Sequence, residues 1–289
     1  MYTHAGRHSN DEATLKFVWT QPAFDMPDED EDGDGTSRRA FVGGAVAAVA
    51  GAGVVYGAST LQGGASPLGG SSAPADVRAV DRSVTVPIGD RREVTLDLAD
   101  NPVMGSPDAD VVVYYWTDYQ CPFCQRFDQE TLPKLVENFV VPGKAAFVFQ
   151  QFPMFGDDSR VAARMEKCVW RQVRDSNPAA FWNWHTAIYE EQGDKNSGWA
   201  SRENLLGYTE SVSGVDADAV ATCLDEHGDE VDALVEDDFG SGRQFGLQGT
   251  PGFVFRNPET GVLGRMMGAQ PYDRFAGAIE KMRGSEQSG

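Results

Sequence analysis

Val111-Val112-Val113-Tyr114-Tyr115-Trp116-Thr117-Asp118-Tyr119-Gln120-Cys121-Pro122-Phe123-Cys124 is the stretch that decides the fold. It opens with an unbroken run of β-branched and aromatic side chains, the pattern of a central strand buried on both faces. Helical spacing follows, with Phe127, Leu132, Leu135, Val136 and Phe139 facing one way. The two cysteines therefore stand where a strand hands over to a helix. Cys121 takes the N-cap position, and Pro122 takes the first helical position, where a missing N–H costs nothing. Unpaired N–H groups and the positive end of the helix dipole stabilise a thiolate there, below the free value of about 8.5. Cys124, one turn deeper, keeps its proton until it attacks. Cys121 is thus the expected nucleophile and Cys124 the resolving thiol.

Two other readings compete. A Cys-x-x-Cys pair is half of a zinc or copper site, but such a site needs about four ligands. No second Cys-x-x-Cys is present, and His4, His8, His185 and His227 are scattered along the chain. A purely structural disulfide is the other alternative.

Working outward, Ala145 to Phe152 reads as a second strand, and 159–245 as helical, with loops at 175–178 and 192–199. Phe253 to Arg256 and Val262 to Met267 flank a turn and read as a hairpin, and Pro271 to Met282 as a closing helix. On the other side, Val84 to Ile88 and Glu93 to Leu98 read as short leading strands within 80–100. Trp182, Trp184, His185 and Tyr189 form an aromatic group on one helix, read as core packing in preference to a cofactor box.

Gly105-Ser106-Pro107-Asp108-Ala109-Asp110, the apolar strand with Asp118 to Cys124, and Gly249-Thr250-Pro251-Gly252-Phe253-Val254-Phe255 together resemble the DsbA-like branch of the thioredoxin superfamily. The resemblance covers about residues 101–285 and rests on two motifs more than a hundred residues apart. It implies an α/β thioredoxin fold with a helical domain, at about 157–246, inserted between the second strand and the C-terminal hairpin. It implies a cis Thr250–Pro251 bond facing the cysteines, with Thr250 offering backbone groups to an extended substrate segment. It also implies a disulfide between Cys168 and Cys223, which would close about 55 residues; two buried free cysteines are the alternative. Pro122 and Phe123 set the redox poise. Phe123 offers the thiolate neither donor nor charge, so the pair is expected to be less oxidising than a Pro-His pair. Asp118, three residues before Cys121, is a candidate proton relay, against the plainer reading of a loop carboxylate. Family oxidants carry an acid further back on the strand, and Val113-Tyr114-Tyr115-Trp116 has none.

The expected chemistry is exchange of disulfides with cysteine-containing client proteins, with a redox partner, membrane-bound or not, that recycles the pair. The expected direction is oxidation. A reductase or isomerase on the same fold is the alternative, as is a metal- or client-binding module without turnover. No metal and no cofactor beyond the Cys121–Cys124 disulfide is implied.

The N-terminal part points to where this happens. Residues 1–37 are polar and acidic and read as disordered. Ser37-Arg38-Arg39-Ala40-Phe41-Val42 then leads an uncharged run to about Ala58. Arg38 and Arg39 before that run resemble a twin-arginine export signal, so 38–60 is read as a signal or membrane anchor, cleaved or retained. A Gly/Ser/Ala/Pro linker is expected over 61–79. The expected location is outside the cytoplasm, secreted or held on the outer face of the membrane. Four cysteines suit one redox pair and one structural pair.

Forty-four acidic residues against 24 basic ones give a net charge of -20, with 18 Arg and only 6 Lys. Such a field repels phosphate backbones and speaks against nucleic acid. Acids continue from Asp225 through Asp238, so they are not confined to a tail. Carboxylate-rich, lysine-poor composition resembles that of proteins from salt-loving organisms, and a halophilic archaeon is the expected source.

Overall fold

The computed structural model describes residues 77–284, apart from 81 and 89–91. The segments 1–37 and 38–60, with Arg38 and Arg39, lie outside the described residues, as does the linker up to 76. Val111–Thr117 forms β5, and all seven of its side chains are buried. It runs parallel to β6 (Ala145–Gln151) and antiparallel to β7 (Gly252–Arg256). With β1 (Val77–Arg78), β4 (Val103–Met104) and β8 (Leu263–Met267) these make a six-stranded sheet, ordered β1-β4-β6-β5-β7-β8.

Parallel neighbours need a crossover. Here it is the helix that follows Cys121: α1 (Pro122–Arg126), wide π turns at Phe127–Thr131, α2 (Leu132–Leu135), and wide turns again at Val136–Val140. Pro133 lacks an N–H, and the first wide turn ends just before it, where the ordinary hydrogen-bond ladder has to be interrupted. The crossover and α8 (Tyr272–Arg283) cover one face of the sheet, where Val113, Tyr115, Phe147, Phe149 and Phe253 meet Phe127, Leu135 and Phe275.

The leading strands pair with each other rather than with the sheet. β2 (Ser83–Pro87) and β3 (Glu93–Asp97) form a separate antiparallel hairpin. Its buried Val86, Val94 and Leu96 pack on the opposite sheet face, against Val112, Tyr114, Trp116 and Val148. Alternation explains this, since every second residue of β3 is buried and the others are exposed. Folded structure begins earlier than the linker reading placed it. Val77 and Arg78 pair with Met104 and Val103 as an edge strand, and two residues are too few to show a period.

Between β6 and β7 stand α3 (Asp157–Val173), α4 (Ala179–Glu190), α5 (Arg202–Glu210), α6 (Ala217–Glu226) and α7 (Gly228–Gln244). This matches the expected fold class, a thioredoxin fold with an inserted helical block. Ser201 and Asp216 cap α5 and α6 by accepting from backbone N–H groups. Cys168 of α3 and Cys223 of α6 are joined as a disulfide, 55 residues apart, a closure that stabilises by about 4 kcal/mol in the chain-entropy account.

Asp238, at the end of the acidic stretch that starts at Asp225, is buried. Lys167 of α3 donates to its Oδ2 at 2.6 Å and to Asn101 Oδ1 at 2.6 Å. Asp238 Oδ2 also accepts from the Gln151 N–H at 2.8 Å. The cluster ties α3, α7, β6 and the turn before β4 together. Among the described residues no helix is long and apolar enough to cross a membrane.

Candidate active site

Cys121 caps α1 with extended backbone (φ −84°, ψ 115°), and Pro122 opens the helix. β7 begins opposite the end of β5, with Gly252 beside Trp116, which carries the loop before β7 up to the cysteines. The Thr250–Pro251 peptide there is cis. The Cys121 Sγ lies 3.4 Å from the Thr250 carbonyl oxygen and donates to it as a thiol. At Gly252 a Cβ would sit 2.9 Å from Leu247 Cδ1 and 3.3 Å from the Gly249 carbonyl oxygen, so a larger residue would push the Leu247 side chain aside. Both active-site cysteines are free thiols. Phe123 is 51% exposed, with the Arg126 guanidinium 5.2 Å from its ring centre. Cys121 itself is 1% exposed, with the Thr250 carbonyl against its sulfur.

The two thiols are pushed in opposite directions. Cys121 is lowered to about 6. The Cys124 thiol donating to it contributes most; burial opposes; Thr250 and the backbone N–H groups of Cys124 and Phe123 add to the lowering. Sequence reasoning credited those N–H groups first, whereas the neighbouring thiol ranks above them. Burial, followed by the hydrogen bond and charge of Cys121, holds Cys124 well above the ordinary thiol value. One sulfur is therefore a ready nucleophile and the other a stored proton.

Asp118 is buried, and burial raises its carboxyl, against hydrogen bonds from Met154, Gln120, Ser159 and Phe155. Its Oδ1 accepts from the Gln120 N–H at 2.9 Å and its Oδ2 from the Met154 N–H at 2.6 Å. It ties the active-site loop to the loop after β6, and it meets Cys124 through its backbone.

Residues 98–281 match the profile of the thioredoxin family. The chain belongs to that family. Disulfide bond formation protein D of Bacillus subtilis is 29% identical over 150 residues, which is 52% of this chain and 65% of that protein. The probable disulfide bond formation protein D of Bacillus anthracis is 30% identical over 149 residues, 51% of this chain and 66% of that one. The chain thus spans a little under two thirds of the length of the curated relatives it matches. The oxidised crystal structure of BdbD from Bacillus subtilis superposes with a TM-score of 0.55 at 27% identity, over 64% of this chain and 93% of that one. Wolbachia pipientis alpha-DsbA1, at 18% identity and TM-score 0.54, over 69% of this chain and 94% of that one, shows the shared fold.

In this thioredoxin-family chain the residues that sequence reasoning missed lie directly beneath Cys124. The Thr117 side chain lowers the Cys124 thiol, against the larger effect of burial. Thr117 Oγ1 is 2.9 Å from the Tyr115 hydroxyl and 2.5 Å from the Tyr189 hydroxyl. Tyr115 donates to Asp128 Oδ2 at 2.7 Å, and Asp128 Oδ1 is 2.8 Å from His185 Nε2. A signal was available: Asp128 follows Cys124 by four residues, so both lie on one helix face. Trp184, His185 and Tyr189 of the aromatic group are indeed core residues, and two of them also carry polar contacts of this cluster. Among the described residues no group of three or more His, Cys, Asp or Glu stands together as metal ligands.

Proposed function

We propose that this protein is a thiol–disulfide oxidoreductase that forms disulfides in cysteine-containing client proteins outside the cytoplasm. The observation that carries the reading is the Cys121 sulfur, capping a helix 3.4 Å from the Thr250 carbonyl that precedes cis Pro251. In its oxidised form a client thiolate attacks Cys121 Sγ. The Cys121–Cys124 bond breaks, and Cys124 leaves as a thiolate and takes up a proton. A second client thiolate then attacks the client sulfur of the mixed disulfide, and Cys121 leaves as a thiolate. The client loses two electrons and two protons; the enzyme gains both electrons and the proton on Cys124, and the other proton goes to solvent. A recycling partner removes them again. No cofactor beyond the two sulfurs is needed.

Two facts support oxidation over reduction. A Cys121 thiolate near 6 stabilises the reduced pair, which makes the disulfide form a better oxidant. The relatives named above carry disulfide formation in their names. Export through 38–60 delivers the chain to a compartment where disulfides persist, and the acidic surface suits concentrated salt.

Cys124→Ser is the test. With the resolving thiol gone, mixed disulfides between Cys121 and client cysteines accumulate, visible as reductant-sensitive adducts on non-reducing gels. A variant that forms no adduct with reduced unfolded proteins would contradict the reading. Phe123→His places a donor beside the Cys121 thiolate and is expected to raise the reduction potential of the pair in a glutathione titration. A fall, or no change, would remove Phe123 as the residue that sets the poise.

A further inference from the structure

The inserted helical block touches the active-site turn with the end of α4. That helix stops at Glu190, and its last carbonyls carry the negative end of the helix dipole. Glu190 and Glu191, both exposed, add carboxylates at the same end. Such an end is a poor neighbour for a thiolate. Two glutamine amides lie at the contact. Gln125 of α1 donates through Nε2 to the Tyr189 carbonyl at 2.7 Å. Gln192, two residues past the helix, donates through Nε2 to the carbonyls of Tyr119 and Cys121, the second at 3.3 Å.

We propose that Gln192 is a positioning residue for Cys121, holding the backbone carbonyls of Tyr119 and Cys121 with a neutral donor so that the nucleophile attacks and leaves as a thiolate. The inference rests on the exchange chemistry proposed above, and it gives the inserted block a part in that chemistry. A carbonyl oxygen without a donor presents its full negative end to a charge beside it, so each N–H bonded to it favours the charged sulfur. The Cys121 carbonyl already accepts from the backbone N–H groups of Cys124 and Gln125, at 3.0 and 3.2 Å. For the Tyr119 carbonyl, Gln192 is the donor. Gln192 therefore acts on the backbone that carries the sulfur, not on the sulfur itself.

The loop that carries Gln192 is fastened to the same turn. The Asn196 N–H donates to Gln120 Oε1 at 2.7 Å. Gln120 is fully buried, and its Nε2 donates to the Phe155 carbonyl at 2.9 Å and to Ser159 Oγ at 3.1 Å. The Ser197 N–H closes a turn on the Asp194 carbonyl at 3.2 Å, and Lys195 Nζ stands 4.1 Å from the centre of the Phe155 ring. A held segment thus presents Gln192 to its two acceptors. The titratable and charged groups around Cys121 are Cys124 and Arg126 on its own helix, Asp118 in the turn before it, and Tyr189, Glu190 and Glu191 at the end of α4. Gly249-Thr250-Pro251-Gly252 contributes none.

A charge series at position 192 separates this role from packing. Gln192 is half-buried, so a replacement side chain has a way out to solvent. Alkylation of the reduced full chain by iodoacetamide at pH 5 reads the thiolate fraction of Cys121, and a rise of one unit is about a tenfold fall in rate there. Gln192→Met removes the donor and is expected to slow the reaction about threefold. Gln192→Glu sets a carboxylate against two carbonyls and is expected to slow it about tenfold. Gln192→Lys restores a donor and should run at least as fast as the parent. At pH 9, with the thiolate fully formed, all four rates should agree. Gln125→Met breaks the other amide contact with α4, whose acceptor is not on the turn, and should match the parent at pH 5. The reduction potential of the pair should fall in the same order, lowest in Gln192→Glu. Equal slowing by Met, Lys and Glu, or as much slowing by Gln125→Met as by Gln192→Met, marks a packing effect and overturns the assignment. A parental rate in Gln192→Met overturns it too, whatever the charged variants do. If Gln192→Glu fails to fold, Gln192→Met against Gln192→Lys decides the matter. Cys124→Ser keeps the two readings apart. Mixed disulfides there, with a flat series at 192, sink the role of Gln192 alone, whereas no mixed disulfide sinks the exchange chemistry and leaves the alkylation series to be read by itself.

Discussion

Cys121→Ala is expected to lower the rate of thiol exchange by at least about a thousandfold, because no other side chain at the site supplies a nucleophile. Cys124 does not substitute for it. Burial, with the hydrogen bond and charge of Cys121 added, keeps Cys124 protonated well above neutrality. The same asymmetry sets the pH dependence. A Cys121 thiol near 6 is about nine-tenths thiolate at pH 7 and about one-tenth at pH 5. Alkylation of the reduced, folded protein by iodoacetamide should therefore rise roughly tenfold from pH 5 to pH 7 and then level off, with one adduct per chain located on Cys121 by peptide mass. An ordinary thiol, at about 8.5, would keep gaining rate beyond pH 8. An unbroken rise to pH 9, or an adduct on Cys124, would show that the thiolate is not stabilised where the helix start and the neighbouring thiol place it.

Lys167→Met is expected to cost about 3–5 kcal/mol of folding stability, as removal of one partner from a buried ion pair does. Lys167 is 2% exposed, and its ammonium stands 2.6 Å from Asp238 Oδ2 and 4.0 Å from Glu166 Oε1. Burial raises both carboxyls, Glu166 to about 7, and the Lys167 charge is the largest influence holding each of them down. Without that charge their folded-state values climb further above the unfolded ones. The folded variant then binds more protons than the unfolded chain over a wider range, so its stability falls as pH rises. The deficit against the parent is greatest above neutrality and shrinks as the pH falls and the folded carboxyls take up protons. Urea unfolding at pH 5 and pH 8 measures both numbers. Arg171→Met is the contrast. Its 2.8 Å bridge to Glu230 joins side chains that are 47% and 62% exposed, and its loss should leave the urea midpoint close to that of the parent at either pH. Equal losses in the two variants would mean that the Lys167 cluster is not the anchor its geometry suggests.

The residues that were legible in the sequence act locally. Val111 to Trp116 announces a central strand by composition, and Cys121-Pro122-Phe123-Cys124 announces a helix start by the order of its residue types. Thr250-Pro251 was legible only through family resemblance, since nothing in the residues themselves distinguishes a cis bond. The features that escaped depend on partners distant in the chain. β1 and β4 are two residues each, shorter than any period, and exist because β6 offers an edge. The acidic run from Asp225 reads as uniform surface, yet Asp238 faces inward because Lys167, 71 positions earlier, is buried opposite it. The strand beneath the cysteines lacks an acid, and that seemed to leave Cys124 without a proton route. Tyr115 on that strand donates to Asp128 on the crossover helix, a contact that strand and helix patterns read separately do not reveal.

A redox titration of the Cys121–Cys124 pair against glutathione tests the central claim most directly. A nucleophile at about 6 lies about one unit below that of thioredoxin, equivalent to about 1.4 kcal/mol or 30 mV in favour of the reduced form. The account predicts one reversible two-electron transition, with a midpoint above thioredoxin's value of about −270 mV and below the value of about −120 mV of DsbA. A midpoint at or below −270 mV, or no transition between dithiol and disulfide, would contradict it.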